Sequence, residues 1–142
     1  MSQTSISELQ KFLGDWNTDQ NAVKPLFEAM CSTLAAMPDV VLEYKGRPGI
    51  SHSLRAQHTS QKNRPLFVLV DVIDDEPDAR WLSVCFYADY VSDPEEQGDV
   101  VPGGLFGEDA CCFDIEEADS IMQKYMEERL CEAAQKAQDK LA

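Results

Sequence analysis

Positive charge is scarce in this chain: of 142 residues, 12 are Lys or Arg and 26 are Asp or Glu, a formal net charge of −14. Nucleic-acid binders draw most of their affinity from cations that neutralise phosphates, so a general nucleic-acid function is excluded. Docking on an anionic membrane is disfavoured for the same reason. Long hydrophobic runs are also missing. The longest, residues 66–70, stops at Asp71, well short of the ~18 apolar residues that a membrane span needs. The first residues, Met-Ser-Gln-Thr-Ser, show no basic stretch followed by an apolar one, so a cytoplasmic protein is expected rather than a secreted one. There is no C-x-x-C among the five cysteines Cys31, Cys85, Cys111, Cys112 and Cys131. The odd count points to free thiols, with no zinc ribbon and no C-x-x-C redox pair. No metal and no cofactor is expected.

What charge there is of positive sign is gathered in one place. Residues 45–64 hold Lys45, Arg47, Arg55, Lys62 and Arg64 together with both histidines, His52 and His58, and no acid. The segment is either an anion site or the natural counterpart of acids elsewhere in the same molecule.

Local patterning predicts the elements. Ser5-x-x-Glu8 is a capping-box pattern, after which Ile6, Leu9, Phe12 and Leu13 recur at helical spacing up to Gly14. A second helix starts around Pro25, in its first turn, and its stripe Val23, Leu26, Phe27, Met30, Leu34 and Met37 closes at Pro38. From Val40 the period becomes two. Strands are expected over 40–45, 50–58, 66–73 and 80–90, separated by Gly46-Arg47-Pro48-Gly49, by a polar loop at 59–65 and by the acidic turn Asp74-Asp75-Glu76-Pro77-Asp78. Residues 92–110 carry four of the seven glycines, Pro94 and Pro102, and read as one long loop. A short strand at 111–113 follows. Asp114-x-x-Glu117 is a second capping-box pattern, opening a helix over 115–139 with the apolar stripe Ala118, Ile121, Met122, Tyr125, Met126, Leu130, Ala133, Ala137 and Leu141. Glu132 and Lys136 are correctly ordered for a helical ion pair.

Strands grouped between helices, without β-α-β alternation, define an α+β class. The expected fold is one domain over residues 1–142. It is an antiparallel meander of four to five strands, with two N-terminal helices and a long C-terminal helix packed on one face.

The candidate chemistry is sparse. His52 and His58 share a strand face but stand roughly 20 Å apart at ~3.3 Å per residue, too far to chelate one metal. Of the adjacent Cys111 and Cys112, one is expected to enter the core while the other faces outward. The surrounding acids disfavour a thiolate there. The run Pro102-Gly-Gly-Leu-Phe-Gly107 lacks the Lys and hydroxyl residue of a phosphate loop, and Glu108-Asp109 would repel phosphate. Asp71 interrupts an apolar strand and needs a partner such as Arg55 or Arg47 if buried.

The reading these residues favour is a non-catalytic protein-interaction or adaptor module. It would bind a partner protein, or a second copy as a homodimer, through a sheet edge or through the apolar loop residues Val100, Val101, Leu105 and Phe106. A second reading is a binder of a small anionic ligand, held by His52, Arg55, Asp71 and Tyr44. Its cavity would lie between sheet and C-terminal helix, lined by Tyr44, Phe67, Trp81, Phe86 and Tyr125. A third, with least support, is a hydrolase using His52 or His58 with Asp71.

Overall fold

Where apolar residues recur every three or four positions the chain forms helices, and where they alternate it forms strands. A computed structural model describes residues 3–139. Helix α1 spans Gln3–Asp15 and α2 Lys24–Ala35, with Pro25 in the first turn of α2 as expected. Asp19 caps α2 from a distance, its carboxylate accepting from the Val23 and Lys24 amides at 3.0 and 2.9 Å. Then come β1 (Val40–Arg47), β2 (Ser51–His58), β3 (Val68–Ile73), β4 (Trp81–Tyr87), a single 3₁₀ turn at Ala88–Tyr90, β5 (Asp99–Leu105), β6 (Glu108–Ile115) and helix α3 (Ser120–Ala137).

The fold is α+β, and the sheet has six antiparallel strands in the order β1-β2-β3-β4-β6-β5. That is one more than the most the sequence predicted. The extra strand lies in what reads as a long loop. Residues 99–105 pair with β6 through Val100↔Cys111 and Val101↔Ala110, with an irregular register between Val101 and Leu105 that absorbs Pro102 and the two glycines. Proline is compatible with this position because β5 is an outer strand.

Three local expectations need correction. Ser5 lies within α1 (Gln3–Asp15) rather than capping it, and its hydroxyl meets the Tyr44 carbonyl at 3.4 Å. Asp114 and Ile115 remain in β6, paired with Ser83 and Leu82, so α3 starts later than 115. Its true cap is Asp119, which accepts from the Met122 amide at 2.8 Å. The late start turns the stripe: Ile121 is 79% exposed, and the buried set is Met126, Arg129, Leu130, Ala133, Ala134 and Ala137. Glu132 accepts from Arg129 and Ser92 rather than pairing with Lys136. Leu141 lies outside the described residues.

Strand alternation decides what the sheet does. Leu42, Tyr44, Leu54, Ala56, Val70, Val72, Leu82, Val84, Phe86, Phe113 and Ile115 point to one face and are buried with Phe12, Phe27, Met30, Leu34, Met126 and Leu130 from the helices. All three helices lie on that face. The other face carries Arg55, Leu69, Asp71, Ile73, Trp81, Ser83, Cys85 and Cys112, each half-exposed. Among the described residues no helix is long and apolar enough to cross a membrane.

Candidate functional site

The histidine that the sequence singles out, His52, points from β2 toward α1. Phe12 stacks on its ring with centroids 3.8 Å apart and planes 14° from parallel. Directly across the strand pair is Gly46. Any side chain there would collide, since an added Cβ would stand 2.7 Å from the Tyr44 hydroxyl. The gap at Gly46 lets the Tyr44 ring reach His52, and its hydroxyl meets Nδ1 at 2.8 Å. On the other side Nε2 meets the Asp74 carboxylate at 2.8 Å. One neutral tautomer satisfies both contacts: Nε2–H donates to Asp74, and Nδ1 accepts from Tyr44.

Asp74 also accepts from Arg80 Nε at 2.6 Å and from the Gly49 amide at 3.1 Å. Burial alone would raise its pKa, but the hydrogen bonds from Arg80, His52 and Gly49 outweigh it and hold the carboxyl below its ordinary value. Arg80 in turn lies over the rings of Phe12 and Trp16, at 5.2 and 5.4 Å. Burial pushes the Tyr44 phenol up to about 12, so it stays protonated at neutral pH and is no nucleophile. A cleft of about 370 Å³ opens beside this cluster, lined by Lys11, Phe12, Asp15, Tyr44, His52 and Arg80 among others. Its cations are already engaged, Lys11 with Asp15 at 2.9 Å and Arg80 with Asp74. Every polar atom of the cluster that faces inward has a partner, which suits a bracket joining α1, β1, β2 and the β3–β4 turn.

The predicted ligand set is therefore divided. His52 and Tyr44 come together on the helix side. Arg55 and Asp71 face the opposite way, because odd and even positions of a strand face opposite sides. Asp71 accepts from Ser53, its direct cross-strand neighbour. Burial raises the Asp71 carboxyl, with Ser53, Arg55 and Arg47 opposing the shift. Arg55 Nε is buried without a hydrogen-bond partner among the described residues. His58 accepts from the Ser60 amide at 3.0 Å and sits where the loop after β2 turns. The aromatic lining expected under the C-terminal helix is dispersed as well. Phe67 and Phe86 are fully buried in the core, Trp81 faces the opposite side and Tyr125 donates to Asp93. Asp74 and Arg80 were not foreseen. Asp74 was hidden in an acid-rich turn, and its link to His52 is set only by the β2–β3 pairing.

The second candidate region is the β5–β6 hairpin. Val100 is 67%, Val101 40% and Phe106 59% exposed. Leu105, expected with them at the binding tip, is instead buried at 3% within the core cluster. Phe106 and Gly107 form the two-residue turn, both with positive φ (52° and 83°). Glycine is at home there; phenylalanine is an uncommon occupant. Phe106 shares a cleft of about 200 Å³ with Val41, Glu43, Arg55, Gln57, Pro65 and Leu66, so the tip bends over the face opposite the helices. The basic segment holds it there. Arg64 forks to Glu108 at 2.7 Å and to Asp89 at 2.9 Å. The same guanidinium lies 4.2 Å over Tyr87 and 4.7 Å over Tyr90.

No group of three or more His, Cys, Asp or Glu side chains gathers to hold a metal among the described residues. The chain matches no protein-family model, and neither a curated protein nor a solved structure is significantly similar to it.

Proposed function

We propose that this protein is a non-catalytic interaction module that receives an extended segment of a partner protein along the free edge of β5. The observation that carries the reading is the placement of Val100 and Val101, exposed on an outer strand whose far edge has no neighbouring strand among the described residues. An outer strand offers unpaired amides and carbonyls, the template used in strand addition. Asp93, Glu95, Glu96, Asp99, Glu108 and Asp109 surround it in sequence. The partner segment is accordingly apolar and basic. Two β5 edges brought together would oppose acid to acid, which favours a foreign partner over a second copy. Five free thiols suit a reducing, cytoplasmic setting.

The test is selection from a displayed library of random extended peptides against the full chain. Sequences alternating Val, Ile or Leu with Lys or Arg are expected to be enriched, to bind less tightly in high salt, and to lose binding to a Val100→Lys, Val101→Lys double variant. Absence of enrichment, or equal binding to the double variant, overturns the reading.

A further inference from the structure

Cys85 on β4 and Cys112 on β6 are direct cross-strand partners in an antiparallel pair. Residues so placed have Cα atoms ~4.5–5.5 Å apart, inside the ~4.4–6.8 Å that a disulfide requires. Their side chains leave the sheet on the same side, away from the helices, while the neighbouring pair Phe86 and Cys111 turns into the core. Both thiols are half-exposed.

The neighbouring Cys112 thiol lowers the Cys85 pKa against the opposing effect of burial, while Cys85 and burial together raise that of Cys112. Of the two, Cys85 is the sulfur favoured as thiolate. The Ser83 hydroxyl stands 3.8 Å from Cys85 Sγ and also favours the thiolate, while Asp71 and Asp114 on the flanking strands disfavour it. The remaining cysteines are arranged otherwise. Cys111 is buried on the helix face, Cys31 is pushed up to about 12 mainly by burial, and Cys131 is exposed on α3.

We propose that Cys85 and Cys112 form a reversible dithiol–disulfide site on the face opposite the helices, oxidised by exchange with a small-molecule disulfide such as that of a tripeptide thiol. Cys85 gives its proton to solvent and its thiolate attacks one sulfur of the disulfide. A mixed disulfide forms and the first small thiolate leaves. Cys112 then loses its proton and attacks the Cys85 sulfur, expelling the second small thiolate. The protein gives up two electrons and two protons, and the two thiolates take up two protons to become two thiols. The product ties β4 to β6 across the open face. An excess of the small thiol runs the sequence backward.

The experiment uses the full chain carrying Cys131→Ser, which removes the exposed thiol, incubated with glutathione disulfide and glutathione at graded ratios. The reaction is quenched by alkylation and the products are read by mass spectrometry of intact protein and peptides. A species lighter by two hydrogens, with Cys85 and Cys112 in one linked pair and reversed by excess glutathione, is expected. Cys112→Ser should halt at a stable glutathione adduct on Cys85, and Cys85→Ser should slow adduct formation at Cys112 at least tenfold. Cys85 and Cys112 both remaining alkylatable at every ratio overturns the proposal. So does a linked pair that includes Cys31 or Cys111. The wild-type pair is read directly, so the outcome does not depend on the folding of either serine variant.

Discussion

The two faces of this sheet are made from the same strands, yet they treat a carboxylate in opposite ways. On the helix-covered face Asp74 is buried under three hydrogen bonds, including one from Arg80 and one from His52, and its pKa falls. On the other face Asp71 is half-buried with Ser53 as its hydrogen-bond donor and two arginines nearby, and its pKa rises. Burial alone therefore does not predict the ionisation of a carboxylate. What decides is whether the fold places fixed donors against it.

The largest effect expected from breaking this contrast is at Asp74. Asp74→Ala leaves Arg80 and His52 facing an empty position and should cost about 3–5 kcal/mol, as removal of one member of a buried ion pair does, read by urea unfolding. The sign of the pH dependence follows from the lowered pKa. The stability Asp74 contributes is present above its unfolded-state pKa and is lost as pH falls through the lower folded value. Acid titration of stability should therefore show a loss in wild type, below the ordinary carboxylate range, that is missing in Asp74→Asn.

Next in size is the packing of α3. Leu130 is fully buried, and Leu130→Ala should cost about 2–5 kcal/mol in the same measurement. Ile121→Ala, in the same predicted stripe but exposed, should lie within about 0.5 kcal/mol of wild type. Equal losses at the two positions would mean that the helix faces the sheet differently.

A smaller effect is expected at the arginine that pins the hairpin. Arg64→Ala removes its ion pairs with Glu108 and Asp89 and its contacts with two aromatic rings, together about 1–2 kcal/mol. Its signature is local: amide exchange over residues 99–108 should quicken, while α1 and α2 stay protected. High salt should reproduce part of that acceleration in wild type.

The smallest change sharpens the contrast from the other side. Asp71→Asn keeps an acceptor for Ser53 and removes a charge that burial disfavours. A raised carboxyl pKa means that the folded state is favoured as pH falls through that value. The variant should be at least as stable as wild type at neutral pH and should lose this pH dependence. A clear loss of stability at neutral pH would show that Asp71 is held by Arg55 and Arg47 as a working ion pair.

Much of this architecture is legible in local pattern. Period two over residues 40–58 placed His52 and Tyr44 on the inner face, and Pro25 and Pro38 fixed the limits of α2 to within a turn. That Cys111 and Cys112 face opposite ways was legible too, and the structure turns Cys111 in and Cys112 out. Three features were not legible, each for its own reason. Residues 99–105 carry turn composition, and only pairing to β6 makes them a strand. Asp114-x-x-Glu117 reads as the cap of α3, but β6 claims Asp114 by extending its ladder with β4, and Asp119 caps the helix instead. Asp74 is one of four acids in a five-residue turn, and nothing local distinguishes it from Asp75.

The sequence by itself determined the class of fold, the strong acidity, the alternation of inner and outer residues along β1 and β2 and the segregation of positive charge into 45–64, because these depend on period and composition within a few residues. The tertiary structure decided which groups meet. It set Gly46 against His52 so that Tyr44 reaches the imidazole, brought Asp74 and Arg80 to the same ring, laid Arg64 on the hairpin acids and placed Cys85 opposite Cys112. The last three join segments distant in the chain, and even the short-range meeting of Tyr44, Gly46 and His52 depends on the register of the β1–β2 hairpin.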